Sequence, residues 1–171
     1  MLSANKREIE LWLQPTVIDS LDNVSMVLQK VKDPKFLVKT KMTFLTNKQN
    51  EQAGIVLYRT AKGYYSIMKD KESLILTKVH MGLKHVVATV PYKKRIVYLS
   101  VLVNNLAIDF SYGSSENDMK KIGTIQHIDA IADNQFNKFN GTGIGVYATS
   151  MGIISKNKVI FDWFKYTTII D

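Results

Sequence analysis

The sequence predicts an all-β fold, a two-sheet antiparallel β-sandwich, on three observations. Runs rich in β-branched and aromatic residues recur from residue 35 to the C-terminus, several of them alternate apolar with polar positions, and the gaps between them are short and turn-forming. Strands at that spacing, with little sequence left over for helix, bury their apolar faces by stacking one sheet on another.

The first 24 residues stand apart. Ile9, Trp12 and Leu13 have helical spacing, but Pro15 stops a helix early. The stretch reads as a short amphipathic turn, a lead-in segment packed across the sandwich, or a junction between domains. Residues 25–171 read as a single sandwich domain. In KFLVKTKMTF (35–44), Phe36, Val38, Thr40, Met42 and Phe44 alternate with Leu37, Lys39, Lys41 and Thr43, the pattern of a half-buried strand. QAGIVLYR (52–59) and GYYSIMK (63–69) flank Thr60-Ala61-Lys62 as a hairpin, with Gly63 free to take a positive φ. SLILTKVHM (73–81) and KHVVATV (84–90) are divided by Gly82-Leu83. RIVYLSVLV (95–103) and LAIDFSY (106–112) flank Asn104-Asn105, two residues tolerant of positive φ and the clearest tight-turn signal in the chain. A polar turn (113–118), a short strand (119–124) and an irregular loop with room for helical turns (126–140) precede two terminal strands near 142–150 and 158–168. Strict alternation through FDWFKY puts Phe161 and Trp163 on one buried face.

A chain of 171 residues, 46% hydrophobic, buries one sizeable core and is too short for two comfortable domains. It has no cysteine, which excludes disulfides, thiolate nucleophiles and cysteine-ligated metals and fits a cytoplasmic setting. No apolar run reaches membrane-spanning length, so no membrane partner is expected. The formal charge of +8, from 23 basic against 15 acidic residues, would suit nucleic acid. The lysines are scattered, however, several at every other position of a strand as on a solvated sheet face, and only Tyr92-Lys93-Lys94-Arg95 is a cluster. With no binding motif beside that charge, a nucleic-acid partner is disfavoured.

Glycoside hydrolysis needs two carboxylates flanking the scissile bond. No such pair can be argued here: Glu51, Asp109 and Asp162 fall in strands, where a hydrogen-bonded structural carboxylate is the commoner case. No catalytic residue is assigned. His80, His85 and His127 lack metal-ligand spacing, so neither a metal site nor a cofactor is expected. Gly141, Gly143 and Gly145 are spaced like a phosphate loop, but no helix follows, and close backbone packing explains them better. Trp163, Tyr64, Tyr65 and Tyr112, with Trp12, are candidates for stacking on sugar rings, core packing being the ordinary alternative.

Several short motifs, in order, carry a family resemblance over nearly the whole chain from about residue 19. Asn23-Val24-Ser25-Met26-Val27 is similar to N-x-S-L-L, and Glu51-Gln52-Ala53-Gly54-Ile55 to E-x-A-G-L, followed by Tyr64-Tyr65. Tyr98-Leu99-Ser100-Val101 and Leu106 to Gly113 match a hairpin ending F-x-Y-S. Phe139-Asn140-Gly141, Gly145-Val146-Tyr147-Ala148 and Phe161 to Tyr166 are similar to F-T-G, G-L-Y-A and F-D-W-F-x-Y. Together they resemble the carboxy-terminal domain of glycoside hydrolase family 43 enzymes, the β-xylosidase and α-arabinofuranosidase group, a concanavalin A-like jelly roll. The resemblance implies a non-catalytic accessory domain that packs on a catalytic propeller, its partner, and shapes a pocket for xylan- or arabinan-type oligosaccharides. It also implies a role for the loop at 133–140: Phe139, at the F-T-G position, reaches toward that pocket, and Phe136 shares the loop. Two positions depart from the pattern, Gln29-Lys30 replacing an Arg-Arg pair and Met119 replacing a Trp. The propeller that carries the carboxylates is not in these residues, so no activity is expected from the chain alone. The alternatives are a free-standing carbohydrate-binding module and a basic protein- or nucleic-acid-interaction domain.

Overall fold

The structure, a computed structural model, describes residues 8–19, 23–132, 139 and 141–171. Among them the strands are β1 (Ile9–Trp12), β2 (Ser25–Lys30), β3 (Lys35–Thr43), β4 (Gln52–Thr60), β5 (Gly63–Lys69), β6 (Ser73–His80) and β7 (Leu83–Pro91). They continue with β8 (Ile96–Asn104), β9 (Ala107–Gly113), β10 (Met119–Lys121), β11 (Gln126–His127), β12 (Gly143–Thr149) and β13 (Lys158–Thr168), and one 3-10 turn spans Ile128–Ala130. The first sheet has the order β1-β13-β3-β8-β9-β10, with β11 also on β9, and the second the order β2-β12-β4-β5-β6-β7. Every strand pairing is antiparallel. This is the predicted two-sheet antiparallel sandwich, with sequence-distant strands brought together as a jelly roll requires.

The core lies between the sheets. From β3, Phe36, Val38 and Met42 point inward as their alternation demands and meet Ile55, Leu57, Tyr65, Ile67 and Leu76 of the second sheet. Each fully buried side chain of this kind stabilises the fold by about 1.5–3 kcal/mol relative to exposure. A second, smaller apolar cluster lies on the outside of the second sheet, where Ile18 covers Val56, Tyr64, Met68, Val79 and Tyr147. Ile18 reaches that face because the chain from Gln14 to Asp19 crosses it. Thr149 donates its hydroxyl to the Thr16 carbonyl at 2.9 Å, Ile18 donates its N–H to the Tyr147 hydroxyl at 2.9 Å, and Tyr64 donates its hydroxyl to Asp19 at 3.3 Å.

Several local features differ from the sequence reading. Gly63 does not take a positive φ but opens β5, and the β6–β7 turn is Met81-Gly82, both at positive φ, rather than Gly82-Leu83. The helical spacing at Ile9, Trp12 and Leu13 does not make a helical turn: Ile9–Trp12 is an edge strand of the first sheet, paired from Ile9 against Phe161 to Trp12 against Lys158. The two-residue hairpin loop is Asn105-Leu106 rather than Asn104-Asn105, since Asn104 pairs with Ala107 and Asn105 alone takes a positive φ, 57°. Trp163 is not in the core. A register shift on β13 between Phe161, opposite the buried Met42, and Trp163, opposite Lys41, inserts one extra residue at Asp162 and reverses the alternation. Phe161 is buried, and Trp163 lies half-buried on the outer face.

Two strand glycines are set by close backbone approach. A Cβ on Gly54 would stand 1.9 Å from the Ile67 carbonyl oxygen, and one on Gly145 would stand 1.8 Å from that of Val27. Gly143 and Gly145 thus serve the sheet, pairing with both β2 and β4, whereas Gly141 precedes β12 with a positive φ of 77° and nothing close to its Cβ site, so close packing does not explain it.

Candidate functional site

The loop-bearing end that holds Phe139 is assembled from four segments. The link between β2 and β3 (Val31 to Pro34) is tied to β12 by the Val31 N–H to the Thr142 carbonyl (2.9 Å), and to the β8–β9 turn by the Asn105 N–H to the Pro34 carbonyl (2.9 Å). The end of β13 joins through the Ile169 N–H to the Lys35 carbonyl (3.0 Å). Between these segments lies a cleft of about 480 Å³, lined by Val31, Lys32, Asp33, Pro34, Leu106 and Phe139.

Phe139 is half-buried in this cleft. Its ring meets Phe36 edge-on, centroids 6.2 Å apart at 74°, and Phe36 stacks on Tyr166 at 4.9 Å. Tyr166 donates its hydroxyl to Asp33 at 2.8 Å, and Thr168 donates to the same carboxylate at 3.0 Å. An aromatic column therefore runs from the core through Phe36 to both Phe139 and Tyr166. Phe136 lies outside the described residues.

The segments leading into and out of 133–140 are held from the core side. Tyr65 donates its hydroxyl to the His127 carbonyl at 2.8 Å, and Asp129 on the 3-10 turn pairs with Lys78 at 2.9 Å. Burial alone would push the Asp129 carboxyl up, but the hydrogen bond and charge of Lys78, with His80, outweigh it and hold the pKa below the usual value. Thr142, almost fully buried, donates its hydroxyl to the Ile131 carbonyl and joins the two flanks.

Asp33 is the one carboxylate lining the cleft among the described residues. Among the described residues the cleft offers apolar walls, one ammonium and one engaged carboxylate, which suits contact with a flat or ring-shaped group and brings together no acid and base pair of the kind hydrolysis uses.

The other sequence-selected aromatics are dispersed. Tyr65 is fully buried in the core and presents no ring face for a sugar. Tyr64, 4% exposed, lies under Ile18 on the second sheet. Tyr112 is half-buried against Tyr92, 6.1 Å away at 86°. Trp163 faces Tyr98 at 6.3 Å, with the Lys41 ammonium 5.9 Å from the Tyr98 ring and paired with Asp162 at 3.2 Å. Trp12 is 51% exposed on β1, with the Lys158 ammonium 5.3 Å from its ring. Sequence reasoning overlooked Asp33 and the outward partner role of Tyr166; the aromatic run at 161–166 was their only signal.

Residues 1–167 match the family model described as the β-xylosidase C-terminal concanavalin A-like domain. The chain belongs to this family. Its structure is similar to the GH43 protein BlXynB of Bacillus licheniformis, with a TM-score of 0.83 at 20% identity over 95% of this chain and 33% of that one. It is likewise similar to xylan β-1,4-xylosidase of Bacillus halodurans C-125, with a TM-score of 0.82 at 17% identity over 93% of this chain and 32% of that one. The chain thus spans about a third of the length of these GH43 proteins, as an accessory domain would. A protein of unknown function from Saccharomyces cerevisiae shares the fold differently, with a TM-score of 0.68 at 13% identity over 96% of this chain and 90% of that one. No curated protein matches the chain.

Proposed function

We propose that this domain serves a family 43-type glycoside hydrolase acting on xylan- or arabinan-type oligosaccharides, packing on the catalytic propeller through its Phe139 end and shaping the substrate pocket. The observation that supports this reading is the mounting of Phe139. Its ring is seated on Phe36 without entering the core, so one side is fixed while the other borders an open cleft. A side chain meant only to fill the core would be covered on all sides. A partly supported ring can limit the length of an adjoining pocket at little cost in conformational freedom.

The test is Phe139→Ala in the sandwich joined to the propeller it serves, with xylo- and arabino-oligosaccharides as substrates. KM for the longer substrates should change several-fold while the melting temperature stays close to the parent. Unchanged kinetics in a folded variant would remove the role of Phe139.

A second reading, a sandwich that acts without a propeller, is favoured by the Saccharomyces cerevisiae protein, nearly the whole of which this fold covers. The mass of the natural gene product separates the two readings: about three times the domain supports the first, about one domain the second.

A further inference from the structure

We propose that the outer face of the second sheet carries a weak saccharide-binding cleft, separate from the Phe139 end and independent of the propeller reading. The cleft encloses about 360 Å³, within the range of small-ligand sites. Its floor is written by the strand register. Val56 on β4, Ser66 on β5, Thr77 on β6 and Val86 on β7 lie directly opposite one another in a row across the sheet. Met68 and Ile75 lie opposite each other in the next row. One wall is the crossing segment that ends at Asp19, held there by Thr149, Tyr147 and Tyr64. The opposite rim carries Lys84.

The chemistry of this surface is specific in one respect. Ser66 and Thr77 are only 7% and 6% exposed, yet their hydroxyls have no hydrogen-bond partner among the described residues. Neither hydroxyl belongs to the fully enclosed, unpartnered side-chain atoms among the described residues, so both keep access to the cleft. Two donor–acceptor hydroxyls, on residues directly opposite each other on adjacent strands with Cβ atoms about 5 Å apart, therefore face a partly open cleft from an apolar floor. A buried hydroxyl is costly until it is partnered.

The ligand that fits is a neutral polyhydroxylated ring. Its hydroxyls can both donate to and accept from Ser66 and Thr77, Asp19 accepts, Lys84 donates, and its C–H face rests on Met68, Ile75 and Val86. A phosphorylated ligand is disfavoured because Asp19 opposes the one ammonium on the rim. Since Tyr64 and Tyr147 are only 4% and 5% exposed, no aromatic platform adds stacking energy, and weak affinity follows.

The experiment is an amide chemical-shift titration of the 171-residue chain with xylotetraose, arabinotetraose and cellotetraose, each up to about 20 mM, a range suited to millimolar binding. At least one should give saturable shifts at Ser66, Thr77, Lys84 and Val86. Thr77→Val combined with Ser66→Ala should weaken that binding at least tenfold with the spectrum otherwise folded, and Phe139→Ala should leave it unchanged. If the double variant does not fold, Ser66→Ala alone, which removes only a hydroxyl, carries the comparison. No saturable shift with any of the three, shifts confined to the Phe139 end, binding unaffected by losing the hydroxyls, or shifts given only by single-stranded oligonucleotide would each overturn the proposal. Loss of the Phe139 effect in the enzyme assay would leave this cleft standing, and the converse holds.

Discussion

Tyr166 and Asp33, 133 residues apart in sequence, are joined by a 2.8 Å hydrogen bond in which the phenol donates to the carboxylate. That bond ties the last strand of the first sheet to the link that leads out of the second. The same Tyr166 ring stacks on Phe36 at 4.9 Å, so the polar tie and the aromatic column that seats Phe139 share one side chain.

Tyr166→Phe keeps the stack and removes the tie. It should destabilise the domain by about 1 kcal/mol, a fall of about 2–4 °C in melting temperature for a domain of this size. An unchanged melting temperature would show that Asp33 is held well enough by Thr168 alone.

Alkaline pH should act through the same residue. Burial first, then the hydrogen bond and charge of Asp33, push the Tyr166 phenol from its ordinary value of 10.0 up to about 12. Burial pushes Tyr64 and Tyr65 up as well. A raised folded pKa means that the fold favours the neutral phenol. This contribution is complete below about pH 10 and is lost as pH rises through the folded values. Urea titrations from pH 9 upward should show stability falling as phenolate absorbance grows, with the Tyr166→Phe variant losing less.

Glu51 predicts the opposite limb. It is 3% exposed and accepts hydrogen bonds from Thr46 at 2.6 Å, Ser155 at 2.7 Å and Asn157 at 2.8 Å. Burial alone would push its pKa up; those three donors and the charge of Lys48 outweigh it, and the pKa lies below the ordinary 4.5. Glu51→Gln should cost about 1–3 kcal/mol near neutral pH, because an amide cannot accept at both former oxygens. The difference from the parent should persist above the ordinary carboxyl pKa and shrink as pH falls through the lowered one. A constant difference down to strong acid would refute an ionised Glu51.

Gly145→Ala should destabilise by at least about 3 kcal/mol or prevent folding, since its Cβ would lie 1.8 Å from the Val27 carbonyl oxygen, a backbone atom. If β2, at the sheet edge, yields instead, amide exchange at Met26 to Leu28 should accelerate. Gly152→Ala is the contrast: no atom lies within 4 Å of its Cβ site and only φ, +86°, opposes the change. Its cost should be about 1–2 kcal/mol.

Phe161→Ala and Trp163→Ala should differ although the residues are near neighbours on one strand. The buried Phe161 should cost about 3–5 kcal/mol and the half-buried, outward Trp163 well under that. Chemical denaturation of the pair gives the answer, and equal losses would contradict the bulge.

The strands were legible where alternation is clean and turns are short. The last strand was read at its observed limits, and the β4–β5 hairpin came within one residue. Trp163 was misread because a bulge changes the parity of a strand, and only the pairing with Lys41 and Met42 reveals it. Strand β1 was missed because four residues carry little periodicity and its partner begins at residue 158. Phe139 was visible as a motif, but its seat on Phe36 was not. The hydroxyl pair at Ser66 and Thr77 was invisible for the same reason: their adjacency exists only in the register between strands.

The course of the chain from Ile9 to Asp19 fixes the geometry of any attachment upstream. Ile9–Trp12 is hydrogen-bonded into one sheet and Gln14 to Asp19 is fastened across the outside of the other, so this segment straps the two layers together. A body joined ahead of it would not swing on a tether 24 residues long. Its freedom would end at Ile9, on the edge of β13, and the reach of a linker should be measured from there.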